Sequence, residues 1–131
     1  MILQQLLGIE LPVIQAPMAG VQDHRLALAV SGAGGLGSLP AALLSLEALR
    51  SELIALKTQT DRPFNVNFFC HQPIAADALR EAAWRKALAP YYRELGLDLD
   101  KIPAGPGRAP FSVEAAELLA EFRPSVVSFH F

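Results

Sequence analysis

The sequence predicts an α/β fold. It reads as a parallel (β/α)8 TIM-type barrel with only about the first three and a half β/α units present and a helical insertion after strand three. Three observations predict it. Strand-length apolar segments recur at residues 13–18, 36–39, 64–69 and 126–131. Amphipathic helical patterns lie between them, so the order is strand, helix, strand, helix, strand, insertion, helix, strand. Most of the strand segments are near-continuously apolar, as strands covered on both faces of a parallel sheet are. Alternating β and α segments with short links imply parallel strands and right-handed crossovers.

The elements can be justified in order. Residues 13–18 carry Val13, Ile14 and Met18 and run into Pro17 and Gly20. From Asp23 to Ala33, Leu26, Ala29, Val30 and Ala33 repeat at helical spacing. Asp23 is placed to cap that helix and Gly34-Gly35 to stop it. Residues 36–39 form the second strand. From Ser45 to Lys57, Leu46, Leu49, Leu53 and Leu56 make one stripe behind a Ser45 cap. Residues 64–69 are the third strand. The insertion spans residues 71–110. Its first part, residues 75–95, reads as helix broken at Pro90, and its second, residues 103–110, as a Pro/Gly loop. Val113, Ala116, Leu119 and Ala120 then mark a helix capped by Ser112, with Glu114 favourably placed in its first turn. Residues 126–131 close the series.

Composition narrows the function classes. The chain has 131 residues, 52% of them apolar and 18% charged, with a net charge of −2. That mixture excludes a disordered chain and offers no basic groove for nucleic acid. Cys70 is the single cysteine, so there is no intrachain disulfide and no cysteine-built metal site. A reducing, cytoplasmic setting is the expectation. No uncharged apolar run reaches the roughly 18 residues of a membrane helix. The N-terminus has no signal-peptide pattern.

An open doubly wound nucleotide fold shares this element order. It announces itself by G-x-G-x-x-G after its first strand, whereas that strand here ends in Pro17-Met18-Ala19-Gly20. The later Gly32-Ala33-Gly34-Gly35-Leu36-Gly37 ends a helix and enters a strand. That is the wrong direction for cradling a pyrophosphate, and it reads as a tight αβ turn.

Barrel chemistry sits at the C-terminal ends of the strands. There the first strand delivers Gln15, Ala16, Pro17, Met18 and Ala19. Small residues let a planar ligand approach backbone amides; equally, Pro17 and Gly20 serve to make the turn. Asn65 and Asn67 share one face of the third strand and need partners, from the barrel's own polar layer or from a ligand. Ser128 and His130 share a face of the fourth, opposite Val127, Phe129 and Phe131. A lone histidine in an apolar strand is commonly a satisfied core residue, but its strand-end position points toward a pocket. His24 reads as a solvated helix start and His71 as a loop residue beside the site. No metal-ligand cluster, Ser/His/Asp set or carboxylate pair is visible.

At these residues the sequence resembles a known family. Pro12-Val13-Ile14-Gln15-Ala16-Pro17-Met18-Ala19-Gly20-Val21 is similar to the opening strand of the nitronate monooxygenases, formerly called 2-nitropropane dioxygenases. The similarity continues through Ala27-Leu28-Ala29-Val30-Ser31 and Gly32-Ala33-Gly34-Gly35-Leu36-Gly37-Ser38. It extends over Thr60-Asp61-Arg62-Pro63-Phe64-Asn65-Val66-Asn67, Pro90-Tyr91-Tyr92 and Val126-Val127-Ser128-Phe129-His130-Phe131. The resemblance implies an FMN-dependent oxidoreductase that oxidises alkyl nitronates with O2 to a carbonyl compound and nitrite. By position it implies that Ala16, Pro17, Met18 and Ala19 line the flavin ring, that Asn67 hydrogen-bonds it, and that His130 faces the pocket. Residues 1–131 would then be the N-terminal part of a flavin-binding barrel. The family's phosphate loops and catalytic histidine are expected beyond Phe131, so no catalytic residue is assigned here and this chain alone is expected to be inactive. A full barrel takes roughly 250 residues. Two other readings stand beside this one: an FMN-dependent enoyl-acyl carrier protein reductase-like enzyme, and a non-catalytic half-barrel that self-associates through its open edges.

Overall fold

Residues 2–75, 77–101 and 109–131 are described in a computed structural model. Most of the predicted 103–110 loop lies outside them. The element order is α1 (Leu3–Leu7), α2 (His24–Gly32), β1 (Gly37–Pro40), α3 (Leu46–Gln59), β2 (Phe64–Phe69), α4 (Ala78–Glu94), a 3-10 turn (Leu99–Lys101), α5 (Val113–Phe122) and β3 (Val126–His130). The chain divides into two units, residues 1–72 with 108–131, and residues 73–107.

The first unit is built on a parallel sheet of order β1-β2-β3. Side chains alternate across it. Leu39, Phe64, Val66 and Phe68 join the core with Leu49, Leu53 and Leu56 of α3 and Ala115, Leu118 and Leu119 of α5. The opposite face carries Ser38, Asn65 and Asn67, all buried. Register places Ser38 beside Asn65, Asn67 beside Ser128, and Phe69 beside His130.

The predicted first strand is shorter than expected. Ile14 makes one parallel bridge to Leu36, closed by Leu36 N–H to the Val13 carbonyl and Gln15 N–H to the Leu36 carbonyl, both 2.9 Å. The next rung would need an N–H from Pro17, which has none. The ladder therefore stops, and Val13 and Ile14 stay half exposed.

Helix faces also differ from the expected stripes. In α2 the buried residues are Ala27 and Ser31, not Leu26, Ala29 and Ala33. The cause is Gly37: a Cβ there would lie 2.0 Å from the Ala27 carbonyl oxygen. The helix backbone lies directly on β1, and Ser31 Oγ accepts from Gly37 N–H (3.1 Å) while donating to the Pro63 carbonyl (2.9 Å). In α5 the face is Ala115, Leu118 and Leu119, with Val113 exposed. In α3, Leu46 is exposed while Leu49, Leu53 and Leu56 are buried as expected. The Asp23, Ser45 and Ser112 caps all form. Gly34, at φ 95°, makes the αβ turn in which α2 ends.

In the second unit α4 runs through Pro90 without a break. Proline already has helical φ, so the helix forgoes one hydrogen bond and continues. It starts later than predicted, where the Asp77 side chain accepts from the N–H groups of Leu79 and Arg80. Among the described residues no helix is long and apolar enough to cross a membrane.

Candidate functional site at the strand ends

Parallel pairing puts the C-terminal ends of the bridge segment, β1, β2 and β3 along one edge. The segment of Ala16, Pro17, Met18 and Ala19 leaves there and closes in a turn, Val21 N–H to the Met18 carbonyl at 3.3 Å. Gly20 sits at φ 84° in that turn, a conformation that costs glycine nothing. Gly20 is therefore required by the turn itself. Ala16 and Met18 are exposed, Pro17 and Ala19 half-buried.

Where Pro17 cannot supply a rung, side chains do. Ser38 N–H donates to Gln15 Oε1 at 3.0 Å. The Ser38 carbonyl accepts from Gln22 Nε2 at 2.7 Å and from Gln15 Nε2 at 3.3 Å. Gln15 Nε2 also reaches Gln22 Oε1 at 2.8 Å, and Met18 N–H donates to that same oxygen at 3.1 Å. Ser38 Oγ accepts from Asn65 Nδ2 at 3.1 Å. One connected network thus runs from the 16–19 segment to Asn65 near the start of β2.

Asn65 is 4% exposed and its Oδ1 has no partner among the described residues. Its amide meets only the Ser38 hydroxyl, so one end is left unsatisfied in either orientation of the amide. Such an orphan costs about 1–3 kcal/mol and marks a place where a polar group is missing. Asn67 donates through Nδ2 to Ser128 Oγ (2.9 Å) and to the Ser128 carbonyl (3.2 Å). A carbonyl can only accept, so the Asn67 amide is fixed with Oδ1 turned away from Ser128.

His130 is exposed, two register positions beyond Asn67, with its ring 6.4 Å from that of Phe69. The His71 ring is likewise 6.4 Å from that of Phe69. Cys70 follows β2 directly; its N–H donates to the His130 carbonyl at 2.8 Å and its side chain is exposed. His24 is not a solvated helix start. Its N–H (2.7 Å) and Nδ1 (2.9 Å) both meet Glu52 Oε2 of α3, because a first-turn N–H needs an outside acceptor. The neighbouring Asp23 carboxyl is held below its usual range by hydrogen bonds from the Arg25 side chain and N–H.

The structure thus links the 16–19 segment to Asn65 by hydrogen bonds and sets Asn67 and His130 on the same sheet face. Sequence reading missed Gln22 and Ser38. The available signal was a serine in an apolar strand, which needs a partner just as Asn65 does.

Comparison with known proteins identifies the family to which the chain is similar. The family described as Nitronate monooxygenase matches residues 1–131. A curated nitronate monooxygenase of Pseudomonas aeruginosa is 44% identical, over 97% of this chain and 36% of its own length. One from Paraburkholderia phytofirmans is 42% identical, over 96% of this chain and 35% of its own. A nitroalkane oxidase structure from Streptomyces ansochromogenes superposes with a TM-score of 0.71 at 32% identity, covering 94% of this chain and 34% of that one. The chain therefore spans about a third of the length of the curated relatives it matches. With the match running over every residue, this chain belongs to the nitronate monooxygenase family.

Proposed function

We propose that residues 1–131 are the N-terminal part of a flavin-binding β/α barrel, with residues 71–110 inserted, and that they form one wall of an FMN site. The enzyme built on that wall oxidises alkyl nitronates with O2 to a carbonyl compound and nitrite, in the cytoplasm. The observation that carries the reading is the partnerless amide end of Asn65, on the polar sheet face two residues before Asn67, in a chain that matches this family throughout.

The residues fit such a ligand. A flavin ring carries both hydrogen-bond donors and acceptors along one edge, and a buried carboxamide that lacks a partner is suited to meet it. When bound, FMN supplies the capacity to take electrons from the anionic nitronate and pass them to oxygen. The chain's part is to place the ring. Ala16 and Met18, exposed, with Pro17 and Ala19, half-buried, offer a rim for its face. Asn67, its amide held by Ser128, hydrogen-bonds it. His130 stands at the pocket mouth. The family's phosphate loops and catalytic histidine have no counterpart in this chain, so it binds FMN weakly and does not turn over by itself.

Titration of FMN with the chain, followed by flavin fluorescence, tests the wall: quenching is expected, and weaker quenching with Asn67→Ala. Nitrite release with added nitronate and FMN is expected to stay at the buffer level. In a full-length protein carrying these residues, NADPH oxidation driven by an enoyl thioester without nitronate turnover would sink the nitronate reading in favour of an enoyl reductase.

A second reading is favoured by the exposed apolar edges, Val13 and Ile14 on one side and Phe129 and Phe131 (87% exposed) on the other. It is a non-catalytic half-barrel that buries those edges by self-association. Light scattering decides: a flavin-free oligomer supports it, and a yellow monomer rules it out.

A further inference from the structure

Gln22 lies outside every residue set considered above for the ligand, yet it is the hub of the network under the 16–19 segment. Its orientation is forced at both ends. Met18 N–H can only donate, so it meets Oε1; the Ser38 carbonyl can only accept, so it meets Nε2. Gln22 thereby occupies the rung that Pro17 leaves empty. It also consumes the Met18 N–H. Pro17 has no N–H, so the remaining backbone donors of the segment are those of Ala16 and Ala19, neither of which meets an acceptor among the described residues.

We infer that Gln22 is the positioning residue of the 16–19 segment, turning the Met18 N–H inward and leaving the Ala16 and Ala19 N–H groups as the pair that meets acceptor atoms of the ligand. Taking that ligand to be FMN rests on the flavin reading above; the orientation of Met18 does not. The fixed amide does in one side chain what two further ladder hydrogen bonds would do. The same segment built without it would be free to rotate the Met18 peptide outward and offer a different donor.

Amide hydrogen exchange on the ¹⁵N-labelled chain tests the clamp without ligand. Met18 N–H is expected to exchange about tenfold faster in Gln22→Met. Gln22→Glu supplies the conservative variant. Its carboxyl, when protonated, can accept from Met18 and donate to Ser38; when ionised, it cannot donate and repels the Ser38 carbonyl. Gln22→Glu keeps an acceptor for the Met18 N–H in either form, so Met18 protection should be retained relative to Gln22→Met, while the contact with the Ser38 carbonyl returns only as pH falls through that carboxyl's titration. Unchanged Met18 exchange in Gln22→Met overturns the inference. The second readout is the amide spectrum on adding FMN. Shifts at Ala16 and Ala19 with Met18 unmoved support the donor assignment, and a shift at Met18 instead overturns it. No shift anywhere in the segment overturns the flavin reading and the ligand half of this inference together, while the exchange result still decides the clamp.

Discussion

Helices α3 and α4 are of similar length, yet they are held by different forces. The α3 helix presses Leu49, Leu53 and Leu56 into the core and ties itself to α5 through Arg50 and Glu121, 2.7 Å apart. No residue of α4 is buried; Leu79 (84%), Trp84 (64%) and Tyr91 (62%) face solvent. Among the described residues, α4 is held within its own unit by the Asp77 cap, its own ladder, and Arg85 Nη1 on the Leu99 carbonyl at 3.2 Å. The comparison teaches that a helical repeat in the sequence reports the helix and not its burial. Burial was decided by what the sheet offers, as at Gly37.

That contrast can be broken most forcefully at the sheet. Gly37→Ala places a methyl group where the Ala27 carbonyl sits and should destabilise the first unit by about 4 kcal/mol or more, read as a lowered urea midpoint. Leu53→Ala in α3 should cost about 2–5 kcal/mol, whereas Trp84→Ala in α4 should stay within about 0.5 kcal/mol in the same experiment. Equal costs for the two would refute the contrast. Asp77→Ala should remove about 1 kcal/mol from α4 alone. Helical circular dichroism should fall, while the urea transition of the first unit does not move. The smallest effect concerns Arg50 and Glu121. The Arg50 hydrogen bond holds the Glu121 carboxyl below its usual range, and both groups are exposed. Its folded pKa is depressed, so its contribution is present above the unfolded value and lost as pH falls through the folded one. A stability difference between Glu121→Gln and the native chain should be small at neutral pH and vanish in acid; a difference that grows in acid would contradict the assignment.

Much of this fold was legible in the chain. The β2 strand and its alternation of Phe64, Val66 and Phe68 against Asn65 and Asn67 were readable because period-two burial depends on neighbours in sequence. The caps at Asp23, Ser45 and Ser112 were readable for the same reason. The buried face of α2 was not, because it turns on a contact between Gly37 and Ala27 that no local pattern encodes. The first strand was overread because Val13 and Ile14 look like strand, while the missing N–H of Pro17 acts only when Ser38 is set opposite. In the candidate site, Asn67 and Ser128 could be placed on matching faces but not paired without register. Gln22 was invisible because its partners lie four residues back and sixteen ahead.

The single cysteine has a practical consequence. Cys70 is exposed one residue beyond β2, with its backbone bonded to His130. A maleimide dye or nitroxide would therefore attach at one place, beside the strand-end edge, with no cysteine to add or remove. Its emission or its distance to a paramagnetic probe would gauge occupancy of that edge directly, whatever the occupant proves to be.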